Sequence, residues 1–391
     1  MLIANFNKMN TSILGMGVIS ALGRNLAETE ANLYTDNPVL PQLPRRVKTA
    51  LQLPVFELSY PTPIDNKAGG YTVQLLELAV AEAIENAKLT EEVLKSRRVG
   101  VIIGTTVAAQ LNNIPFYAKL RQNDSSDTSP LARYIEGNPS EYIRRKYKLN
   151  GPALTVSNAC SSGADAIGLA HIWLNTGVCD LVIAGGADEI NLVPIDGFNA
   201  IGVCSPEPCR PFDANRTGLN LGEAAGAVVL GMHDKGAEIE IAGFGKTSDA
   251  FHITQPEPEG IQLEAAIRNA LAQANVSPQD IAFINAHGTG TQANDDVEMK
   301  VFHRIFGQIP FMSTKPLTGH TLGAAGAIEA IFTALMLKNE KAAKSHRFAT
   351  PAPDAPCTPL TEHLPLSNPR FALSTSLAFG GSNTALLLEK I

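Results

Sequence analysis

Hydrophobic positions recur along this chain in two rhythms, and the same order of rhythms comes round twice. In LLELAVAEAIENAKLTEEVLKSRRVGVIIGTT (75–106) apolar residues first fall at three- and four-residue intervals, the mark of a helix with one buried face. Thr90 followed by acidic residues predicts a helix cap, and VGVIIG then predicts a strand buried on both sides. QLEAAIRNALAQANVSPQDIAFINAHGTG (262–290) repeats that order, with Ser277 and Pro278 as cap and first turn and IAFINA as the strand.

Further pairs follow in the same sequence. SILGMG (12–17) matches IEIAGFG (239–245), each a strand opening its half. ALTVSNACSSGADAIGLAHIWL (153–174) matches PFMSTKPLTGHTLGAAGAIEAIFTALML (310–337), each a strand, a short polar loop and an Ala/Gly-rich helix. CDLVIAGGAD (179–188) matches FALSTSLAFGG (371–381), a strand running into glycines. The pattern predicts an α/β protein of two similar halves, 11–235 and 236–391, joined near residues 230–240. Helices rich in Ala and Gly approach their neighbours closely, so the two in these loops are expected between sheets, and polar residues on them at the junction of the halves.

Composition narrows the function. With 391 residues, 45% hydrophobic, the chain has a sizeable core and needs no disulfide or metal staple. A net charge of −7 with interspersed signs argues against a nucleic-acid partner, whose phosphates call for a basic stripe. The five cysteines (160, 179, 204, 209 and 357) show no zinc-like spacing and read as free thiols of a reducing compartment. MLIANFNKMNTS lacks the basic start and apolar core of a signal peptide, and no apolar run reaches membrane-spanning length, so a soluble, cytoplasmic protein is expected.

Cys160 stands out among the five. Small and polar neighbours surround it in TVSNACSSG, just where a strand ends and a helix begins. There the helix dipole and free N–H groups are expected to lower the thiol pKa, and the N–H of residue 160 to face an oxyanion. The other four cysteines read as packing residues. His287, after the strand IAFINA, is expected to turn into a crevice. His320, in STKPLTGHTLGAAGA, occupies nearly the position of Cys160 in the second repeat. His171, His233, His252, His303, His346 and His363 read as hydrogen-bonded structural residues, His252 being the least settled. Lys315 would support the histidines or be a solvated lysine. Glu329, costly to bury alone, would pair with Lys315 or a bound ion, or be exposed. Glu223 and Arg210 are expected to form a salt bridge, and Phe379 in LAFGGSN to gate a pocket or pack in the core.

Taken together, TVSNACSSG, RPFDANRTGLNLGEAAG, KTSDAFH, NAHGTGTQAND, STKPLTGHTLGAAGAIEA and LAFGGSNTALLLEK make the chain resemble the β-ketoacyl-acyl-carrier-protein synthases. Within these it is most similar to the elongating Cys-His-His branch of the thiolase superfamily, from about residue 11 to 391. The resemblance implies two halves stacked as α-β-α-β-α layers. It implies that Cys160 takes an acyl chain from a carrier-protein thioester. His287 and His320 would bind the malonyl thioester carbonyl, promote decarboxylation and stabilise the enolate that lengthens the chain by two carbons. The N–H groups of Cys160 and Phe379 would form the other oxyanion hole, and Lys315 with Glu329 the supporting polar pair. No organic cofactor and no catalytic metal are implied. The implied partners are an acyl carrier protein, acyl and malonyl thioesters, and an identical or related subunit in a dimer, with no membrane.

Some positions depart from the housekeeping pattern of that family: Gln292 for proline, Asn294 for glycine, Leu377 and Ala378 for an aromatic and a glycine, and Thr217 for aspartate. The stretch 56–74 is less basic than the carrier-docking region of many relatives. These changes fit a specialised polyene or polyketide synthase, such as one for aryl polyene pigments, at least as well as bulk fatty-acid elongation. Segment 105–147 is expected to line the pocket and subunit contact, and Arg121, Arg133, Arg144, Arg145 and Lys146 to dock an acidic carrier protein or to be a solvated face. Two other readings compete. A chain-length-factor-like subunit shares the fold without catalysis but typically lacks the nucleophile. A cysteine hydrolase would want one base histidine with an Asp or Asn behind it, whereas paired histidines favour condensation.

Overall fold

The computed structural model describes residues 11–61, 70–106, 114–129, 131–132, 138–232, 234 and 236–391. Arg133, His233 and parts of the segments 56–74 and 105–147 lie outside them.

Among the described residues ten strands form the main sheet. The first half supplies β1 (Thr11–Ile19), β2 (Val99–Gly104), β3 (Ala153–Val156), β4 (Leu181–Asp188) and β5 (Ala224–Met232). The second supplies β6 (Ile239–Ser248), β7 (Ile281–Asn285) and β8 (Phe311–Met312), then, after a small two-stranded ladder of β9 (Lys341–Ala342) and β10 (Leu364–Pro365), β11 (Phe371–Ala378) and β12 (Ser382–Lys390). The order across the sheet is β3-β2-β4-β5-β1-β6-β12-β11-β7-β8. Read outward from the middle, both halves run in one order, and their pairings match: β3, β2 and β4 are parallel and β5 and β1 antiparallel, as are β8, β7 and β11 against β12 and β6. Among the described residues the strands β1 and β6 of the two halves pair at Thr11–Ile241 and Ser12–Glu240.

The repeat in the sequence is thus a repeat in the fold, and the structure adds a fifth pair. GEAAGAVVL leads into β5, whose counterpart is SNTALLLEK, β12.

Alternation along the strands builds three cores. Val99, Val101 and Ile103 of β2 and Ala225, Ala227 and Val229 of β5 face outward, β2 onto the helix Pro139–Lys146 and β5 onto the helix Gly70–Asn86, while Ile102, Val228 and Leu230 face the middle. In the second half Leu373, Ala385 and Leu387 face the helix Ile261–Ala274, and Ala372, Leu386 and Leu388 the middle. Between the two sets of strands lie the helices Ser162–Asn175 and Ala325–Lys338, each packed against strands of both halves. The result is the α-β-α-β-α arrangement of the thiolase-like fold.

The central pair explains the Ala/Gly composition. Every residue from Ala325 to Leu337 is buried, so this helix needs no polar face. A Cβ on Gly163 would stand 2.8 Å from the Ala327 nitrogen, and one on Gly326 would stand 2.6 Å from the Ala164 Cβ. Two backbones can approach this closely only where one side chain is missing. That approach brings the mouths of the two helices, and the loops leading into them, to one place.

Candidate active site

Cys160 follows β3, His287 follows β7, the loop of His320 follows β8, and Phe379 follows β11. All four sit past the carboxyl ends of parallel strands, where an α/β sheet opens a crevice. They line one cavity of about 490 Å³ together with Phe198, Ile201, Arg216, Thr217, Gln292, Asn294, Leu377 and Ala378. The two parallel strands β3 and β8 are repeat counterparts, so Cys160 and His320 face each other across the pseudo-symmetric junction.

Cys160 is held by a tight loop. Ala159 has φ +48°, an uncommon value for a residue with a side chain, and the helix Ser162–Asn175 begins two residues after the thiol, with Ser161 as its cap residue. The Phe379 N–H lies on the side of the Cys160 sulfur and favours its ionised form. The lowered thiol pKa expected from the helix end does not hold. Burial pushes the Cys160 thiol up to about 12, against the opposing pull of Lys315 and of the Phe379 N–H. The resting group is therefore a buried thiol.

The histidines are arranged by their neighbours. Lys315, itself buried, has three N–H donors and finds three acceptors: Glu329 Oε1 at 2.6 Å, the His287 carbonyl, and His287 Nδ1 at 3.2 Å. The Leu322 backbone N–H, which can only donate, points at His320 Nδ1 across 3.1 Å. Both rings therefore accept at Nδ1 and carry their proton on Nε2. Burial, helped by the positive charge of Lys315, holds both histidines well below the usual imidazole range. The site has two neutral N–H donors, with ring centroids 5.3 Å apart and planes at 88°.

Three supports were not legible in the sequence pattern. Glu298 accepts the backbone N–H groups of His287 at 2.8 Å and Gly288 at 2.7 Å, fixing the turn that carries the ring. Its motif, NAHGTGTQANDDVE, contains the signal, but nothing in it says which acid turns inward. Asp188 accepts from Gly323 at 2.7 Å and from Thr106 at 2.8 Å, tying the His320 loop to the first half. Phe198 stacks on Phe379 at 5.3 Å and meets His320 edge-on at 6.0 Å; no sequence motif marks it.

The expected Arg210–Glu223 bridge is absent. Glu223 is buried under the 46–58 segment, where it pairs with Arg46 and accepts the Leu58 and Ile190 N–H groups at 2.6 and 3.0 Å. Arg210 instead pairs with its near neighbour Glu207 at 2.7 Å. Among the basic residues singled out above, Arg144 and Arg145 are both paired with Glu141, and Lys146 with Glu77. His252 is exposed, its Nδ1 accepting the Thr254 N–H at 3.1 Å.

The N-terminal domain of β-ketoacyl synthases matches residues 10–235, and the C-terminal domain of β-ketoacyl synthases matches residues 239–349. The chain belongs to the β-ketoacyl synthase family. Over 405 aligned positions it is 31% identical to 3-oxoacyl-[acyl-carrier-protein] synthase 2 of Staphylococcus aureus (strain COL), covering 97% of each chain. Among solved structures, the ishigamide ketosynthase/chain length factor superposes with a TM-score of 0.91 at 27% identity, over 98% of this chain and all of the other. A chain of the ketosynthase ApeO in complex with its chain length factor ApeC from Xenorhabdus doucetiae superposes with a TM-score of 0.86 at 31% identity, over the whole of both. The enzyme is a ketosynthase, an acyltransferase. Among the described residues, no helix is long and apolar enough to cross a membrane.

Proposed function

We propose that this ketosynthase extends an acyl chain by two carbons through an acyl-Cys160 intermediate, using malonyl-carrier protein as donor. The observation that carries the reading is the meeting of one buried thiol and two neutral Nε2–H donors in a single cavity. The Cys160 sulfur attacks the acyl thioester, the S–H proton leaves with the carrier thiol, and the N–H groups of Cys160 and Phe379 hold the carbonyl oxygen as it gains charge. Malonyl thioester then enters, with its carbonyl oxygen on His287 and His320. Loss of CO₂ leaves an enolate that both imidazoles stabilise. Being neutral with their Nδ1 atoms occupied, they hold it without protonating its carbon. The carbanion attacks acyl-Cys160, the C–S bond breaks to leave the Cys160 thiolate, and that thiolate takes up a proton from solvent as the β-ketoacyl thioester leaves.

A non-catalytic chain-length-factor role has no need of this constellation, so we assign catalysis to this chain and a second, identical or related subunit to the other half of a dimer. We assign it also to a specialised pathway, of which aryl polyene synthesis is the leading instance. Support comes from Thr217, Gln292, Asn294, Leu377 and Ala378, the five departures from the housekeeping pattern, all of which line the cavity.

The test is mass spectrometry after exposure to a panel of acyl-carrier thioesters. The expected result is an acyl adduct on Cys160 that disappears on adding malonyl-carrier protein, yielding a product two carbons longer, and no adduct on Cys160→Ala. No adduct from any donor, with or without a co-expressed partner subunit, would overturn the reading.

A further inference from the structure

Behind the nucleophile loop lies a second polar cluster that takes no part in the steps above. Asp165, on the first turn of the helix after Cys160, is buried and accepts from four donors. Its Oδ2 takes the Asn158 amide at 2.7 Å, the Ser161 hydroxyl at 3.0 Å and the Lys246 ammonium at 2.5 Å, and its Oδ1 takes the Thr384 hydroxyl at 2.6 Å. Asn158 and Ser161 bracket the left-handed Ala159 and Cys160 itself. Lys246 and Thr384 come from β6 and β12, in the other half of the molecule.

Ser382 closes the network. Its hydroxyl lies 2.8 Å from the Asn158 amide, 3.2 Å from the Ser161 hydroxyl and 3.1 Å from Lys246. It directly follows the turn Phe379–Gly381, whose Phe379 lines the same cavity as Cys160 and whose N–H favours the ionised sulfur. One connected set of hydrogen bonds thus grips both ends of the loop that presents the thiol and the end of the turn that presents the oxyanion donor.

We infer that Lys246, through Asp165 and Ser382, is a positioning residue that sets the Cys160 sulfur against the Phe379 N–H. The charge is essential to the device. A buried carboxylate with neutral donors alone is poorly compensated, and it relaxes by drawing the loop residues toward itself or by admitting water. Lys246 is partly exposed, its side chain keeping 39% of its accessible surface, so its truncation opens no cavity. The effect of losing it falls on alignment, and displacements below 1 Å at a reacting atom are costly in rate.

The inference rests on Cys160 being the nucleophile, and two readouts keep its failure separate from a failure of that reading. The first is the alkylation rate of Cys160 by iodoacetamide, followed by peptide mass spectrometry, which needs no carrier-protein donor. The second is single-turnover acylation at varied donor concentration. Lys246→Met is expected to slow both by about tenfold or more at saturation, with the half-saturating donor concentration changed less than about twofold. Lys246→Arg, which keeps the charge, is expected to restore most of the rate. A parent-like rate in Lys246→Met, a loss confined to donor affinity, or Lys246→Arg as slow as Lys246→Met would each overturn the inference. Ser382→Ala, which cuts the bridge to the oxyanion turn without removing charge, gives the same test should Lys246→Met not fold. A parent enzyme that alkylates at Cys160 but accepts no acyl group would refute the proposed function, and the alkylation series would still decide this one.

Discussion

Lys315 Nζ stands 3.2 Å from His287 Nδ1 while the same ammonium holds Glu329 at 2.6 Å. Protonating His287 at Nδ1 would set two donors against each other in a buried site, so the neutral ring is retained well below the ordinary imidazole range. His320, whose Nδ1 faces a backbone N–H, is held low as well. A base with a depressed pKa loses its neutral form only at lower pH. Decarboxylation of malonyl thioester, measured with Cys160→Ala so that no acylation intervenes, is therefore expected to stay within about twofold from pH 8 to pH 6. A fall centred near 6.5 would mean that one ring titrates as a solvated histidine does.

The same ammonium carries stability. Removing it leaves Glu329 as a buried carboxylate without a counter-charge, and Glu329 Oε2 already has no hydrogen-bond partner among the described residues. Lys315→Met is expected to cost about 3–5 kcal/mol in urea unfolding. Lys315→Met with Glu329→Leu should recover much of that loss, because the unpaired charge is gone, while decarboxylation stays impaired. A double variant no more stable than the single one would show that the pair is not the coupled unit described here.

Glu298 links a departure from the family pattern to pH. Burial raises its carboxyl to about 7, against the N–H groups of Gly288 and His287 that favour the ionised form. Unfolded, the group loses its proton near its ordinary 4.5. Between these values the folded chain holds a proton that the unfolded chain has lost, so this group's contribution to stability falls as pH rises from 4.5 to 7. The difference amounts to about 3 kcal/mol across that window. Comparing unfolding of the parent and Glu298→Gln at pH 5 and pH 7 isolates it, the variant lacking the slope. Asn294 donates to Glu298 Oε2 at 2.9 Å and to Asp295 Oδ1 at 3.0 Å. Asn294→Gly, which restores the family's glycine, removes a donor to the ionised form and is expected to make the enzyme less stable at pH 7 by about 1–2 kcal/mol. An unchanged melting temperature would refute the support assigned to Asn294.

How much of this was legible beforehand follows from what each residue depends on. Strands such as VGVIIG and IAFINA announce themselves by local composition, and their repetition carries the two-fold plan in the sequence itself. The β5–β12 pair escaped because SNTALLLEK follows directly on a glycine turn and matches GEAAGAVVL only in pairing pattern. That Cys160, His287 and His320 stand at strand ends around one cavity was readable from their motifs. Their protonation was not: burial decides it, and it reversed the expectation for the thiol. The Arg210–Glu223 expectation failed for the same reason, since Arg46 reaches Glu223 from a segment 177 residues away. Contacts of that kind leave no periodic trace.

The close approach of the two central helices sets the last prediction. At Gly326 a methyl group would lie 2.6 Å from the Ala164 Cβ, 2.8 Å from the Ala164 nitrogen and 2.9 Å from the Ser376 hydroxyl. None of these is the flexible end of a long side chain, so the helices must separate. Overpacking of this sort costs about 1–3 kcal/mol, but here the displacement has a direction. It moves the mouth of the helix Ala325–Lys338, and with it the Leu322 N–H that holds His320, away from the helix mouth that presents Cys160. Gly326→Ala is therefore expected to fold with reduced stability and to lose condensation by more than about tenfold, while single-turnover acylation of Cys160, which needs no His320, falls much less. Equal losses in both steps would show that the substitution acts on the whole fold and not on the spacing between thiol and histidine.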